Sequence, residues 1–163
     1  MVNYLNKEKH TMFKKTMFVV AVIFIGMQLL SVERSNPQVD DALTLKAPTE
    51  VQNILQNSCY DCHSFETKWP WYSNIAPVSF FVANHVDEAR KALNFSTWDT
   101  IDEEVKVKRL KRAIITVKNE MMPKPTYAMA HEETKLNDNE KKLLIEWFEN
   151  ELGGEGIGIG GIR

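Results

Sequence analysis

The chain has 163 residues, of which 44% are hydrophobic and 26% charged, the balance of one globular domain. From Glu33 onward it carries 16 basic and 21 acidic residues, a charge that argues against nucleic acid as a partner. Its two cysteines leave no second ligand pair for a structural zinc site.

Lys7, Lys9, Lys14 and Lys15 precede an uncharged, mostly apolar stretch, residues 16–32, that ends at Glu33 and Arg34. Its length is at the short end of what crosses a bilayer as a helix. It closes on Gln28-Leu29-Leu30-Ser31-Val32 without a small-x-small cleavage site, which favours an uncleaved signal anchor over a removed secretory peptide. The lysines then keep residues 1–15 cytoplasmic and place the remainder on the periplasmic side of the inner membrane, with a single pass. Residues 33–47 have no strong period and contain Asn36-Pro37, so they read as an extended tether to a body over 48–152.

The body opens with Val51, Ile54, Leu55 and Cys59 on one helical face, running into Cys59-Tyr60-Asp61-Cys62-His63. Cys-x-x-Cys-His is the attachment signature of a c-type haem. Two thiols in that spacing each add to a vinyl group, and the next residue, His63, becomes the proximal ligand of the iron. A thioredoxin-like redox pair would want a strand-to-helix setting that is missing here, and a plain disulfide would leave His63 a bystander. An exported pair of thiols would tend to oxidise, so haem addition also accounts for their presence.

Trp69-Pro70-Trp71-Tyr72 is too aromatic for an ordinary surface loop, and Trp69, Trp71 and Tyr72 suit the wall of a large flat cofactor. A carbonyl in the loops of Pro70 or Pro77 is a candidate acceptor for the His63 Nδ1 proton. A helix over 78–93 is expected to bury Phe81, Val82, His85, Val86 and Ala89. After a loop over 94–100, a helix from near Asp102 has acidic residues in its first turn and an apolar stripe of Val107, Leu110, Ile114 and Val117. Lys106, Lys108, Arg109, Lys111 and Arg112 on that helix read as a solvated face, with pairing to haem propionates or docking of an acidic redox partner as alternatives. Asn137 and Glu140 form a capping box for a last helix carrying Leu143, Leu144, Trp147 and Phe148. Residues 153–163 are too rich in glycine for a stable helix and read as a flexible tail. No segment alternates as a strand does, so the class is all-α.

The second axial ligand decides what such a haem does. Met121, Met122, Met129, His85 and His131 are the candidates. Met122 stands out, because Pro123 and Pro125 stiffen the loop that follows it, and because its position 59 residues after His63 lets the chain wrap the haem and return on its other face.

The series Cys59-Tyr60-Asp61-Cys62-His63-Ser64, Glu66-Thr67, Trp69-Pro70-Trp71-Tyr72 and Ala76-Pro77-Val78-Ser79 resembles the bacterial haem-binding domain family. His85-Val86, Asn94-Phe95-Ser96-Thr97-Trp98, Met122-Pro123-Lys124-Pro125-Thr126-Tyr127 and His131 continue the pattern, which covers roughly residues 48–150. The resemblance implies a cytochrome c-like fold around one haem c, with thioethers at Cys59 and Cys62 and axial ligands His63 and Met122. The family's usual Gly-Glu-Met-Pro stands here as Glu120-Met121-Met122-Pro123. The expected function is a membrane-anchored electron carrier passing single electrons between other redox proteins of the membrane or periplasm. Nothing in it calls for a small organic substrate or a catalytic acid, base or nucleophile. The alternative is a haem-based ligand sensor or peroxidase-like protein whose distal site is open or labile.

Overall fold

The computed structural model describes residues 2–154, among which every regular element is helical. The elements are α1 (Val2–Gln28), α2 (Thr49–Ser58), α3 (Tyr60–His63), α4 (Val78–Ala92), α5 (Glu103–Lys118), α6 (Pro125–Ala130) and α7 (Asp138–Gly154). Short 3₁₀ segments lie at Trp71–Asn74, Phe95–Thr100, which is kinked at Thr97, and Glu132–Thr134. The chain divides into two compact units, Met1–Arg34 with Trp69–Asn84, and Ser35–Lys68 with His85–Arg163.

In the first unit, α1 contains a stretch, Glu8–Gln28, long and apolar enough to cross a membrane. The helix stops at Gln28, short of the Val32 expected from composition. Leu29 and Leu30 close it with tighter bonds to Gly26 and Met27 (both 3.2 Å). The Gln28 amide then turns outward to pair with the Ala76 backbone, donating from Nε2 to its carbonyl (3.1 Å) and accepting its N–H (3.0 Å). Arg34 donates to the Ser73 carbonyl and to Asn74 Oδ1.

The second unit is built on a core of Leu55, Phe95, Leu110, Leu144, Trp147 and Phe148. α7 starts as its sequence dictates. Asn137 Oδ1 accepts the N–H groups of Asn139 and Glu140, and Glu140 Oε2 accepts the Asn137 N–H (2.9 Å), a reciprocal capping box. The helix continues to Gly154, one residue past the expected start of the glycine tail, whose remainder from Glu155 lies outside the described residues.

Three sequence expectations shift. The extended tether expected over 33–47 is held to the body near its end, because Leu45 enters the core with its N–H on the Phe95 carbonyl (2.8 Å), and the Leu43 carbonyl accepts the Asp99 N–H (3.0 Å). A run with neither helical nor strand period pairs with loop backbone, so periodicity could not reveal it. On α4 the buried positions are Ser79, Ala83 and Val86, while Phe81 and His85 face outward. Val78, Phe80, Phe81 and Val82 make the start of that helix apolar all round, so spacing alone leaves its inner face ambiguous. On α5 the basic cluster divides. Lys106 is buried, bonded to Glu103 (2.8 Å) with its ammonium 5.7 Å from the Trp98 ring centre, whereas Lys108, Lys111 and Arg112 are exposed.

Replacing Leu45 by alanine is expected to cost about 2–4 kcal/mol of unfolding free energy. A urea titration checks this: the midpoint falls with little change of slope. A side chain on a free tether would leave the midpoint unmoved.

Candidate functional site

Cys59 is the hinge of the Cys-x-x-Cys-His segment. Its N–H still bonds the Leu55 carbonyl of α2 (2.9 Å), while its own carbonyl accepts from Cys62 (3.1 Å) and His63 (2.9 Å), starting the single turn of α3. Residues three and four apart on such a turn share a face, so Cys59, Cys62 and His63 are presented together. The two intervening residues point elsewhere. Tyr60 is buried, stacked on Phe95 with ring centres 5.5 Å apart, and its hydroxyl accepts from Gln52 Nε2 (2.7 Å). Asp61 accepts the Lys68 N–H at Oδ1 and the Tyr127 hydroxyl at Oδ2, both 2.8 Å.

His63 Nδ1 lies 2.9 Å from the Leu93 carbonyl and 3.1 Å from that of Ala89. Carbonyls only accept, so the proton is on Nδ1 and the lone pair on Nε2. The expected acceptors near Pro70 and Pro77 are therefore replaced by carbonyls at the end of α4, that of Leu93 just past the helix and that of Ala89, which also accepts the Leu93 N–H (2.9 Å). Burial lowers the His63 pKa, against the opposing pull of these two bonds, which favours the neutral imidazole that binds a metal.

The thiols are unbonded to each other. Burial pushes Cys59 up to about 12, with Cys62 adding to the shift. Burial, then the Asp61 carboxylate, push Cys62 up to about 11 against the pull of Lys124 and Arg90. A reactive thioredoxin-like cysteine is shifted the other way, and a zinc thiolate would need partners. Among the described residues no group of three or more His, Cys, Asp or Glu side chains could hold a metal ion. Protonated thiols beside a neutral imidazole with an available Nε2 fit a haem held by thioethers and one histidine.

Arg90 braces this segment from α4. Nε donates to the Ser64 carbonyl (2.8 Å), Nη1 to Ser35 (2.9 Å), and Nη2 to Asn36 Oδ1 (2.9 Å) and Thr67 Oγ1 (3.0 Å). Ser64 Oγ bonds back to the Tyr60 carbonyl, and Ser96 Oγ accepts the Phe65 N–H. Asn94 and Ser96 are buried in this network, so Asn94-Phe95-Ser96 serves as a structural turn.

Met122 lies in the loop between α5 and α6, and its register follows from how α5 ends. Asn119 caps the helix, Glu120 adopts φ 55°, the Glu120 N–H bonds Val117 (3.1 Å) and the Met121 N–H bonds Thr116 (2.8 Å). This is the bond pattern of a Schellman cap, whose left-handed residue is usually glycine. Glu120 occupies the place of the glycine in Gly-Glu-Met-Pro, which aligns Met122 with that motif's methionine. Lys141 holds the Glu120 carboxylate at 2.6 Å. Met122 is 37% exposed, against 57% for Met121 and 78% for Met129.

The histidines considered as ligands have other partners. His85 Nε2 is 2.7 Å from Lys124 Nζ, whose ammonium donates to it. His131 stacks on Tyr127 with ring centres 4.3 Å apart, and its Nδ1 is 3.2 Å from Glu133. Trp69, Trp71 and Tyr72 belong to the first unit, where the Trp69 indole N–H is buried without a hydrogen-bond partner and Trp71 is 75% exposed. The residues that sequence reasoning missed are Asp61, Tyr127 and Arg90. Asp61 and Tyr127 lie inside sequence motifs, whereas Arg90 carried no local signal.

Tyr127→Phe should cost about 1 kcal/mol, the size of a partly exposed bond to a carboxylate. Made on an Asp61→Asn background, the same change should cost much less, which a double-mutant cycle by urea unfolding reads directly. Glu120→Gly should raise the unfolding temperature, since glycine adopts positive φ without strain and the lost Lys141 pair is a screened surface contact.

No curated protein and no solved structure matches the chain. A family model described as a haem-binding domain matches residues 22–150, a span that includes α2 to α6, both cysteines, His63 and Met122. The chain belongs to the haem-binding domain family.

Proposed function

We propose that this haem protein is a single-haem electron carrier of the c type, anchored by α1 in the inner membrane with its body on the periplasmic side. The observation that carries the reading is the His63 ring, with Nδ1 tied to the Leu93 and Ala89 carbonyls and two protonated thiols beside it on the same turn. In this reading Cys59 and Cys62 would bear the thioethers, and His63 Nε2 and the Met122 thioether would hold the iron. The bound haem supplies an iron that cycles between ferric and ferrous states.

The protein's part would be to hold the His63 and Met122 side chains in place whichever the oxidation state of the iron. The bonds at Nδ1 fix the tautomer and plane of His63. The α5 cap and Pro123 place Met122 on a loop whose next segment is joined to Asp61 through Tyr127. A thioether ligand raises the potential relative to a second histidine, which suits acceptance and release of single electrons. Trp69 and Tyr72 are proposed haem neighbours because large flat side chains suit the wall of a large flat cofactor. The partners are other redox proteins, and the lysines before Thr16 support the assigned orientation.

A ligand sensor or peroxidase would need an open distal position or a poised distal base, and the engagement of His85 by Lys124 supports the carrier instead. Met122→His should abolish the weak sulfur-to-iron band at the red end of the ferric spectrum and lower the midpoint potential. Unchanged band and potential would remove Met122 from the iron. The native ferrous protein should bind carbon monoxide slowly and incompletely, and rapid, complete binding would favour the sensor reading.

A further inference from the structure

The first unit presents large apolar side chains to solvent: Trp71 is 75% exposed, Phe81 66%, Val78 42% and Ile75 37%. Leu29 and Leu30, just beyond α1, are 85% and 61% exposed. Hydrogen bonds fix where this surface lies along the helix. Gln28 pairs with both backbone groups of Ala76, and Arg34 binds Ser73 and Asn74. If the Glu8–Gln28 stretch crosses a bilayer, Gln28, at its C-terminal end, lies near the hydrocarbon boundary. The backbone from Ser73 to Ala76 is thereby set at headgroup depth, flanked by Trp71 on one side and Val78 on the other.

The helix itself points the same way. Lys14 and Lys15 leave an uncharged helical part from Thr16 to Gln28 that rises only roughly 20 Å, shorter than a hydrocarbon core of about 30 Å. A short span is accommodated by snorkelling lysines, by local thinning, or by apolar surface next to the helix end sinking into the interface. Trp and Tyr, apolar with one polar tip, favour that zone.

We propose that Trp71, Ile75, Val78 and Phe81 form a second membrane contact, an interfacial anchor seated among the phospholipids of the outer leaflet of the bilayer that α1 crosses. The proposal rests on the reading of α1 as a spanning helix. It gives Trp71 a role other than the haem wall suggested by its sequence neighbours, and leaves Trp69 and Tyr72 to the haem. The occupant is lipid, because the surface is hydrogen-bonded to the exit of the membrane helix and lies at one depth with it.

The test uses the haem-loaded full chain in phosphatidylethanolamine and phosphatidylglycerol nanodiscs that contain a phospholipid with a diazirine near the glycerol end of one acyl chain. After irradiation, lipid adducts are mapped by mass spectrometry. Adducts are expected on α1, on the peptide with Leu29 and Leu30, and on the peptide from Trp69 to Asn84. The double variant Trp71→Ser, Phe81→Ser should lose labelling of the last peptide severalfold and keep that of α1. Labelling of α1 with the Trp69-to-Asn84 peptide at the background level of α7 would overturn the anchor while sparing the spanning helix. No labelling of α1 would remove the spanning helix and the anchor with it. The wild-type pattern decides between these outcomes even if the double variant fails to fold.

Discussion

The hydrogen bonds from His63 Nδ1 to the Leu93 and Ala89 carbonyls are the constraint from which the site follows. They join a one-turn helix, which has little stability of its own, to the end of a fifteen-residue one. Both acceptors are backbone carbonyls at the end of α4, so the imidazole is oriented by groups already in place. They also decide the tautomer, and with it which nitrogen faces a metal. Arg90, one residue after Ala89, braces the same turn through Ser64 and ties it to Ser35, Asn36 and Thr67.

The intervening residues of the motif work in the same direction. Tyr60 is driven into the core by its ring and satisfied at its hydroxyl by Gln52, which sets the turn's rotation. Asp61 faces the other way and takes one bond from the Lys68 backbone and one from Tyr127. Through Tyr127 the motif is connected to α6, and so to the loop that carries Met122. The thiols are left beside the imidazole, whose Nδ1 is tied to the two carbonyls, and burial favours the uncharged form of all three.

Much of this was legible in the sequence because it rests on local rules. The Cys59-to-His63 spacing, the Asn137 and Glu140 capping box and the apolar stripe of α5 each depend on residues a few positions apart. What was hidden depends on distant pairing. Leu45 looked like part of a tether because its partner is the backbone of Phe95, fifty residues on in sequence and without a pattern to announce it. The His63 acceptor was sought near prolines, whereas a helix end offers carbonyls whatever its side chains are. Spacing points Phe81 and His85 inward because the first turns of α4 are apolar on every side. Glu120 takes a positive φ at the place the motif usually gives to glycine, and a glutamate there hides the cap from sequence reading.

The central claim is that His63 and Met122 hold one haem iron between them. The proton NMR spectrum of the ferrous, isotope-labelled holoprotein tests it most directly, since a side chain bound to haem iron lies in the ring current and its resonances move far upfield. One methionine methyl, assigned to Met122, and the His63 ring protons should show that displacement. Absence of any displaced methionine, or its assignment to Met121 or Met129, would contradict the account.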